Sequence, residues 1–475
     1  FWLKDARREL RGGLAPLPPP RAPGGHAPVG AAGGPWCATG LADAGAGPPP
    51  ASAPDRISVQ PRAAMRRLQG IGSGKPRCVL TAIAEYSERP LEKRSINDLL
   101  QMAKLTPEVR ARQLHETLKV GLARCAVRLS EMPFGFCNAP SIRRVSTAYV
   151  QNFRQVMEYE HKKGMRGLVG REYVDLTRTI FNQHRGTMLD VAKGVFEFHE
   201  DLHELFGTGL ELADVREDLA LIQDIEQSLD EFFTNRLTLR LLISHVHNLN
   251  SPKVALGNRQ DSKQDGKQDM VGVVNIRTQP ITIIYRAYTA ARFMCMRDFQ
   301  MAPDLLVNGM PCEEFLLQRA ASKQHFAYVH THLFYVFLEL VKNAARASIE
   351  QAQLQEAAGL GAATGGEAKR SPQIPAMHVT VAEDEALWDR ERSVKLADCG
   401  TGMNRSVLSK AFCYFYSSVK ARPTVADEVS DFDRRVPLAG FGFGLPISRV
   451  MARYFSGDVD LNSIPGKGTD VYIYL

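Results

Sequence analysis

Four polar side chains, Tyr335, Glu339, Asn343 and Arg346, interrupt an otherwise apolar run of Leu333, Phe337, Leu340, Val341 and Ala344. Their steps of four, four and three predict one shared face on a helix over 332–352. On that face Asn343 can offer a neutral oxygen to Mg²⁺, while Glu339, one turn away, can accept a proton. A hard cation of this kind takes oxygen ligands and keeps several waters, so one Asn and the phosphates of a nucleotide suffice to hold it. By themselves, a Glu and an Asn on a helix are also what an ordinary solvated face carries.

Three glycine-rich boxes follow. Asp398-Cys399-Gly400-Thr401-Gly402 sits where a strand is expected to end. A carboxylate there can accept a hydrogen bond from an exocyclic amine, and the two glycines let backbone approach a ring closely. Gly440-Phe441-Gly442-Phe443-Gly444-Leu445-Pro446 opens a helix at Ile447. Glycines before a helix N-terminus present free N–H groups and a favourable dipole to phosphate oxygens. The box lacks the GK[ST] ending of a Walker A loop, and no βαβ unit surrounds it as a dinucleotide fingerprint requires. Gly466-Lys467-Gly468-Thr469 stands at the tip of the last strand pair.

These residues need elements to hold them. Residues 1–80 read as a disordered Pro/Gly/Ala-rich extension: twelve of the 27 prolines fall within 1–62. Such a composition buries too little apolar surface to offset its ordering entropy. Residues 81–258 read as a helix bundle of four amphipathic helices, marked by Leu114, Leu118, Leu122 and Leu129, by Val145, Tyr149, Phe153 and Met157, by Leu189, Val191, Val195 and Phe196, and by Leu237, Leu241, Leu242 and Val246. Residues 259–270 are a polar linker, and 353–372 a flexible insertion. From 271 to 475 strands stand beside helices, with Val379–Val381 against Ser393–Leu396 and Val459–Ser463 against Asp470–Leu475. This order of elements predicts an α/β sandwich and not a doubly wound parallel sheet.

Composition narrows the function classes. The net charge of +7 resides in residues 1–80, where eleven Lys/Arg meet four Asp/Glu; the other 395 residues hold 48 of each sign. A neutral body lacks the basic footprint that nucleic acid requires. No run approaches the ~18 apolar residues of a membrane span. Eight scattered cysteines, with no CxxC pair, suit a reducing compartment and no zinc site. The first 80 residues are Arg-rich and acid-poor like an organellar transit peptide, yet carry only three serines. A transit region and an extension without targeting value both remain open on that composition.

Each box alone is commonplace. In this order, across about 130 residues, the series E…N, DxGxG, GxGxG and GxGT resembles the GHKL ATPase superfamily of gyrase, the ninety-kilodalton chaperone, histidine kinases and mismatch-repair ATPases. The resemblance narrows further. Glu339-Leu-Val-Lys-Asn343-Ala-Ala-Arg346, Pro437-Leu-Ala-Gly440 through Arg449, and Gly468-Thr-Asp470 are similar to the mitochondrial pyruvate dehydrogenase and branched-chain 2-oxoacid dehydrogenase kinases. In the helical half, Ala139-Pro-Ser-Ile142, Tyr149-Val-Gln151, His184, Ala192-Lys-Gly194-Val195 and Arg236–Arg240 agree.

The resemblance implies a four-helix bundle followed by a GHKL-type α/β ATP-binding domain, with ATP and Mg²⁺ as cofactors. Glu339 is then the general base for a substrate serine and Asn343 the metal ligand. Lys342 and Arg346 lie near the phosphates, Asp398 reads the adenine amine beside Gly400, Gly402 and Thr469, and Ser417 and Ser418 start a lid. Gly440, Phe441, Gly442, Phe443, Gly444 and Leu445 wrap the phosphates. Tyr149, His184, Arg236 and Arg240 form an effector pocket for small 2-oxoacids, in which Phe181 replaces the usual Arg. Tyr335 replaces the His that many members carry one turn before the base. A histidine-kinase-like acceptor role for His184 is disfavoured, because no acidic residue follows it.

The implied activity is phosphorylation of the pyruvate dehydrogenase E1 alpha subunit in the mitochondrial matrix, by a homodimer docked on the lipoyl domain of the E2 core. The branched-chain enzyme is the alternative substrate, and an ATP-dependent switch or scaffold without kinase activity the alternative class. Because family members usually extend past the final strand into a tail that helps form the lipoyl site, weak lipoyl-domain binding is expected of a chain ending at Leu475.

Overall fold

The computed structural model describes residues 76–133, 135–206, 219–250, 269–318, 325–358, 374–381, 392–416 and 442–475. The expected lid residues Ser417 and Ser418, and the first two of the second glycine box, Gly440 and Phe441, lie outside the described residues. So do most of the expected extension, linker and insertion.

The helical half runs α1 Pro76–Glu88, α2 Ile96–Met102, α3 Pro107–Glu131, α4 Pro140–Lys163, α5 Arg171–Gln183, α6 Thr187–Phe206 and α7 Leu219–Leu249. Residues at three- and four-residue steps make its core: Leu114, Leu118, Leu122, Cys125 and Leu129 of α3 are each 2% exposed or less. Against them come Tyr149 and Phe153 of α4 and Leu229 and Phe232 of α7. Burying each such side chain stabilises by about 1.5–3 kcal/mol. Helix starts are written in the sequence: Ser95 and Asp98 form a reciprocal capping box on α2, and prolines open α3 and α4. The first helix begins at Pro76, inside the segment read as an extension, because Leu80 and Ile83 bury against the same core.

The second half opens with short strands β1 Met270–Val271 and β2 Val274–Thr278, then α8 Pro280–Phe299, β3 Leu305–Val307, β4 Met310–Pro311 and α9 Cys312–Gln318. It continues with β5 Phe326–Tyr328, α10 His330–Ala357, β6 Met377–Val381, β7 Ser393–Ala397 and α11 Arg405–Lys410. It ends with α12 Gly444–Tyr454, β8 Asp458–Ile464 and β9 Gly468–Tyr474. The start of the expected insertion, 353–357, is therefore the last turn of α10.

Six strands form one sheet in the order β4-β3-β6-β7-β9-β8. Only β3 with β6 is parallel among these pairs. Both pairings read from the sequence occur: Val379 faces Leu396 across β6 and β7, and Val459 faces Ile473 across β8 and β9. On β6 the residues alternate, with Met377, Val379 and Val381 buried and His378 and Thr380 exposed, so one face covers the helices. That face packs on α10, which α8 and α12 also flank. The result is a mixed helical and sheet protein. The two halves share apolar packing, since Tyr414, Phe443, Ile447 and Val450 belong to the core of the helical half.

Candidate active site

Glu339 lies on α10 at the edge of the core, its side chain 15% exposed, and accepts a 2.8 Å bond from Lys342 Nζ. Lys342 was expected near phosphates; its side chain is 5% exposed and reaches the base from one turn on. A buried ammonium needs a carboxylate partner, which fixes where Glu339 points. The other carboxylate oxygen meets the second glycine box. A Cβ at Gly444 would come 2.5 Å from Glu339 Oε2, so glycine lets the start of α12 approach this carboxylate closely. The positive end of that helix thereby faces a carboxylate.

Asn343 is exposed one turn from Glu339. Arg346, on the same face, gives its Nε–H to Glu350 at 2.6 Å. The helical stripe is therefore real, though Lys342 and Arg346 are both held by carboxylates of their own helix. Tyr335, one turn before Glu339, turns its phenol away from that carboxylate. Its hydroxyl turns to Met188 Sδ at 3.8 Å, and burial, with Glu339 nearby, pushes its pKa well above the ordinary value.

Asp398 follows the last residue of β7 and is 8% exposed. Its Oδ1 accepts the amides of Gly400 at 2.9 Å and Thr469 at 3.1 Å. Oδ2 is left for an outside donor. Burial pushes the carboxyl up to about 6, against the two amides, which lower it. Backbone crowds this corner: Gly468, at φ +119°, lies on the Asp398 carbonyl, and Gly402, at φ +65°, lies on the Ile464 carbonyl. A Cβ would clash at both. Thr469 shares its hydroxyl with Ser463 Oγ at 2.9 Å, and Ser463 also receives the Met403 amide at 2.8 Å. Ser463 was missed in the sequence; its signal is its register opposite Thr469 in the β8–β9 hairpin.

The second group of residues also comes together. Tyr149 and His184 stack with centroids 4.1 Å apart. Arg236 donates to the His184 carbonyl at 2.9 Å and Arg240 to the Phe181 carbonyl at 3.0 Å. Burial first, then Arg236 and Arg240, push His184 down to about 3. The ring is therefore neutral, and Nε2 accepts from Asn152 Nδ2 at 2.8 Å. A buried, neutral imidazole with that nitrogen occupied is unsuited to be a phosphate acceptor. Asn152 was also missed, although it lies three residues after Tyr149 on the same helix face. Phe181 packs its ring 3.9 Å from the Arg240 guanidinium. Tyr149 OH, beside the Cys125 thiol, and Arg236 Nε have no well-formed partner among the described residues. Unsatisfied donors beside two guanidinium groups make a cluster suited to an anion.

Among the described residues no three His, Cys, Asp or Glu converge as a metal cage, and no helix is long and apolar enough to cross a membrane. An oxygen-donor amide next to a carboxylate, near a helix that starts on a glycine, fits Mg²⁺ carried by a nucleotide.

A buried carboxylate in a glycine corner, a Glu/Asn helix and a glycine-opened helix over a mixed sheet suit a GHKL-type ATPase site. Consistently, residues 328–475 match the family model described as Histidine kinase-, DNA gyrase B-, and HSP90-like ATPase. Residues 93–275 match the model described as Mitochondrial branched-chain alpha-ketoacid dehydrogenase kinase. The mouse protein named [Pyruvate dehydrogenase (acetyl-transferring)] kinase isozyme 3, mitochondrial, is 31% identical over 362 residues, covering 76% of this chain and 75% of the relative. The rat isozyme 1 is 29% identical over 363 residues, 76% of this chain and 71% of the relative. Isozyme 4 of Rhinolophus ferrumequinum is 27% identical over 366 residues, 76% and 75% of the two chains. The chain belongs to the mitochondrial pyruvate dehydrogenase kinase family, and so to the ATP-dependent kinases of the GHKL class.

Proposed function

We propose that this kinase transfers the γ-phosphoryl group of ATP to a serine of the pyruvate dehydrogenase E1 alpha subunit in the mitochondrial matrix, switching that complex off. The observation that carries the reading is the Glu339 carboxylate, whose Oε1 is held by Lys342 and whose Oε2 lies against the start of α12 at Gly444. A carboxylate fixed beside a phosphate-binding helix start can accept the proton of an incoming hydroxyl. Phosphoryl transfer asks little more of the protein than position and charge neutralisation. Asn343 would hold Mg²⁺, which neutralises phosphate charge when bound. Asp398 Oδ2 takes the adenine amine, while Oδ1 stays with the Gly400 and Thr469 amides. Residues 417–441, including Ser417, Ser418, Gly440 and Phe441, would complete the phosphate site.

We read the helical half as the four-helix regulatory bundle of the family, spanning about 81–258. The cluster of Tyr149, His184, Arg236 and Arg240 would be its effector pocket. A homodimer docked on the E2 lipoyl domain completes the reading. A second substrate is favoured by one observation, the match of residues 93–275 to a model described for the branched-chain kinase. Phosphorylation of the two purified E1 enzymes side by side separates these, and a scaffold without kinase activity would label neither.

A further inference from the structure

Among the contacts between the ATP-binding half and the helical half, one is made by a tyrosine near the nucleotide site. Tyr414 is 2% exposed, and its hydroxyl donates to Asp230 Oδ1 at 2.6 Å, across 184 residues of sequence. Asp230 stands on α7. One turn before it, Glu226 takes hydrogen bonds from the Cys413 thiol and the Tyr414 amide. One turn after it, Phe233 stacks on the Tyr414 ring, with centroids 5.6 Å apart and planes at 19°. Tyr414 and Phe233 both meet Phe443, at 5.1 and 5.9 Å. Phe443 is the N-cap residue of α12, and the next residue, Gly444, abuts the Glu339 carboxylate. Phe415 braces the other side, against Phe136 and Phe198.

Apolar packing alone would be served by phenylalanine at 414. Burying a phenol and a carboxylate together is costly unless they bond each other. Burial raises both the Asp230 carboxyl and the Tyr414 phenol, so the pair holds its geometry at a desolvation cost that packing does not require. The same helix carries Arg236 and Arg240, six and ten residues further along.

We propose that Asp230 is a positioning residue for phosphoryl transfer: through Tyr414 and Phe443 it fixes the start of α12 against Glu339, so that α7 sets nucleotide affinity. This rests on the ATP-site reading above. A shift of α7 at Arg236 and Arg240 would reach the phosphate-binding helix start by this path.

Asp230→Ala and Tyr414→Phe, singly and together in the full chain, test it by calorimetry with Mg-ATP and by thermal melting. Each single variant should weaken the nucleotide Kd by about five- to tenfold, and the double variant no further, since both break one bond. Asp230→Glu should recover part of the affinity. Affinities within twofold of the unmodified chain, with or without a lower Tm, would overturn the proposal, as would losses that multiply in the double variant. Tyr414→Phe keeps the ring and reports even if Asp230→Ala does not fold. Should the unmodified chain bind no Mg-ATP, the ATP-site reading falls and takes this with it; normal binding by wild type and variants alike sinks only the positioning role.

Discussion

Asp398→Asn should separate stability from function, because the same burial serves one and harms the other. The carboxyl is raised from its ordinary 3.8 to about 6, with burial as the largest cause. A carboxyl raised in the folded state favours the protonated form there. Its contribution is therefore fully present below pH 3.8 and is lost as pH rises through 6. At pH 7 a shift of about two units corresponds to about 3 kcal/mol of lost stability, and at pH 5 to about half of that. Asparagine has no charge to desolvate, and its Oδ1 can still accept from the Gly400 and Thr469 amides. Its Nδ2, however, would present a donor where the adenine amine also donates. The variant without nucleotide should therefore be more stable than wild type at pH 7, by up to about 3 kcal/mol, and bind ATP at least tenfold more weakly. Urea unfolding at pH 7 and pH 5 measures the first, calorimetry the second. A variant no more stable than wild type at pH 7, or a stability difference that does not shrink towards pH 5, would refute the reasoning.

Other outcomes follow from the same geometry. Asp398→Ala, which also removes the acceptor for two amides, should lose ATP binding outright in the same calorimetry. Pyruvate and its chlorinated analogue should inhibit weakly, since Phe181 covers Arg240 without offering the planar fork of an arginine. Phe181→Arg should gain about ten- to a hundredfold in sensitivity, and strong inhibition of the unmodified enzyme in dose–response curves would refute it. His184 is held down to about 3, and His245 and His332 to about 4, by burial first. Folded-state pKa values below the unfolded 6.5 stabilise above that pH and are lost as pH falls towards 4. Replacing buried His245 by Gln should accordingly flatten the acid side of the urea-unfolding pH profile; an unchanged profile would count against it.

The elements that carry the site were legible because their periods are local. Leu114 to Leu129 announce α3, and the stripe from Tyr335 to Arg346 marks a face of α10. The hairpin pairings of β6 with β7 and β8 with β9 could be read from alternation and a Pro-Gly turn. What could not be read is where distant segments touch. Nothing local in Gly444 tells that it meets Glu339, and nothing in Tyr335 tells that its hydroxyl would turn to Met188. The Asp230–Tyr414 bond joins residues 184 positions apart. Such contacts depend on the packing of α7, α10 and α12, which sequence periodicity constrains only in face and not in register. The helix Arg171–Gln183 was passed over for a related reason. Its buried side is small, with Tyr173, Thr177 and Ile180, so its apolar stripe is thin.

The central measurement is phosphate transfer from γ-labelled ATP to purified pyruvate dehydrogenase E1, by the unmodified chain and by Glu339→Gln. The glutamine keeps the shape beside Gly444 but cannot take the serine proton, and loss of a general base costs roughly 10²–10⁴ in rate. The unmodified chain should place acid-stable label on a serine of the alpha subunit. Glu339→Gln should bind ATP as well as wild type while losing that transfer. Transfer by Glu339→Gln at near the wild-type rate would contradict the assignment of the base, and an unmodified chain that binds ATP yet labels neither pyruvate dehydrogenase nor the branched-chain E1 would contradict the proposed substrate.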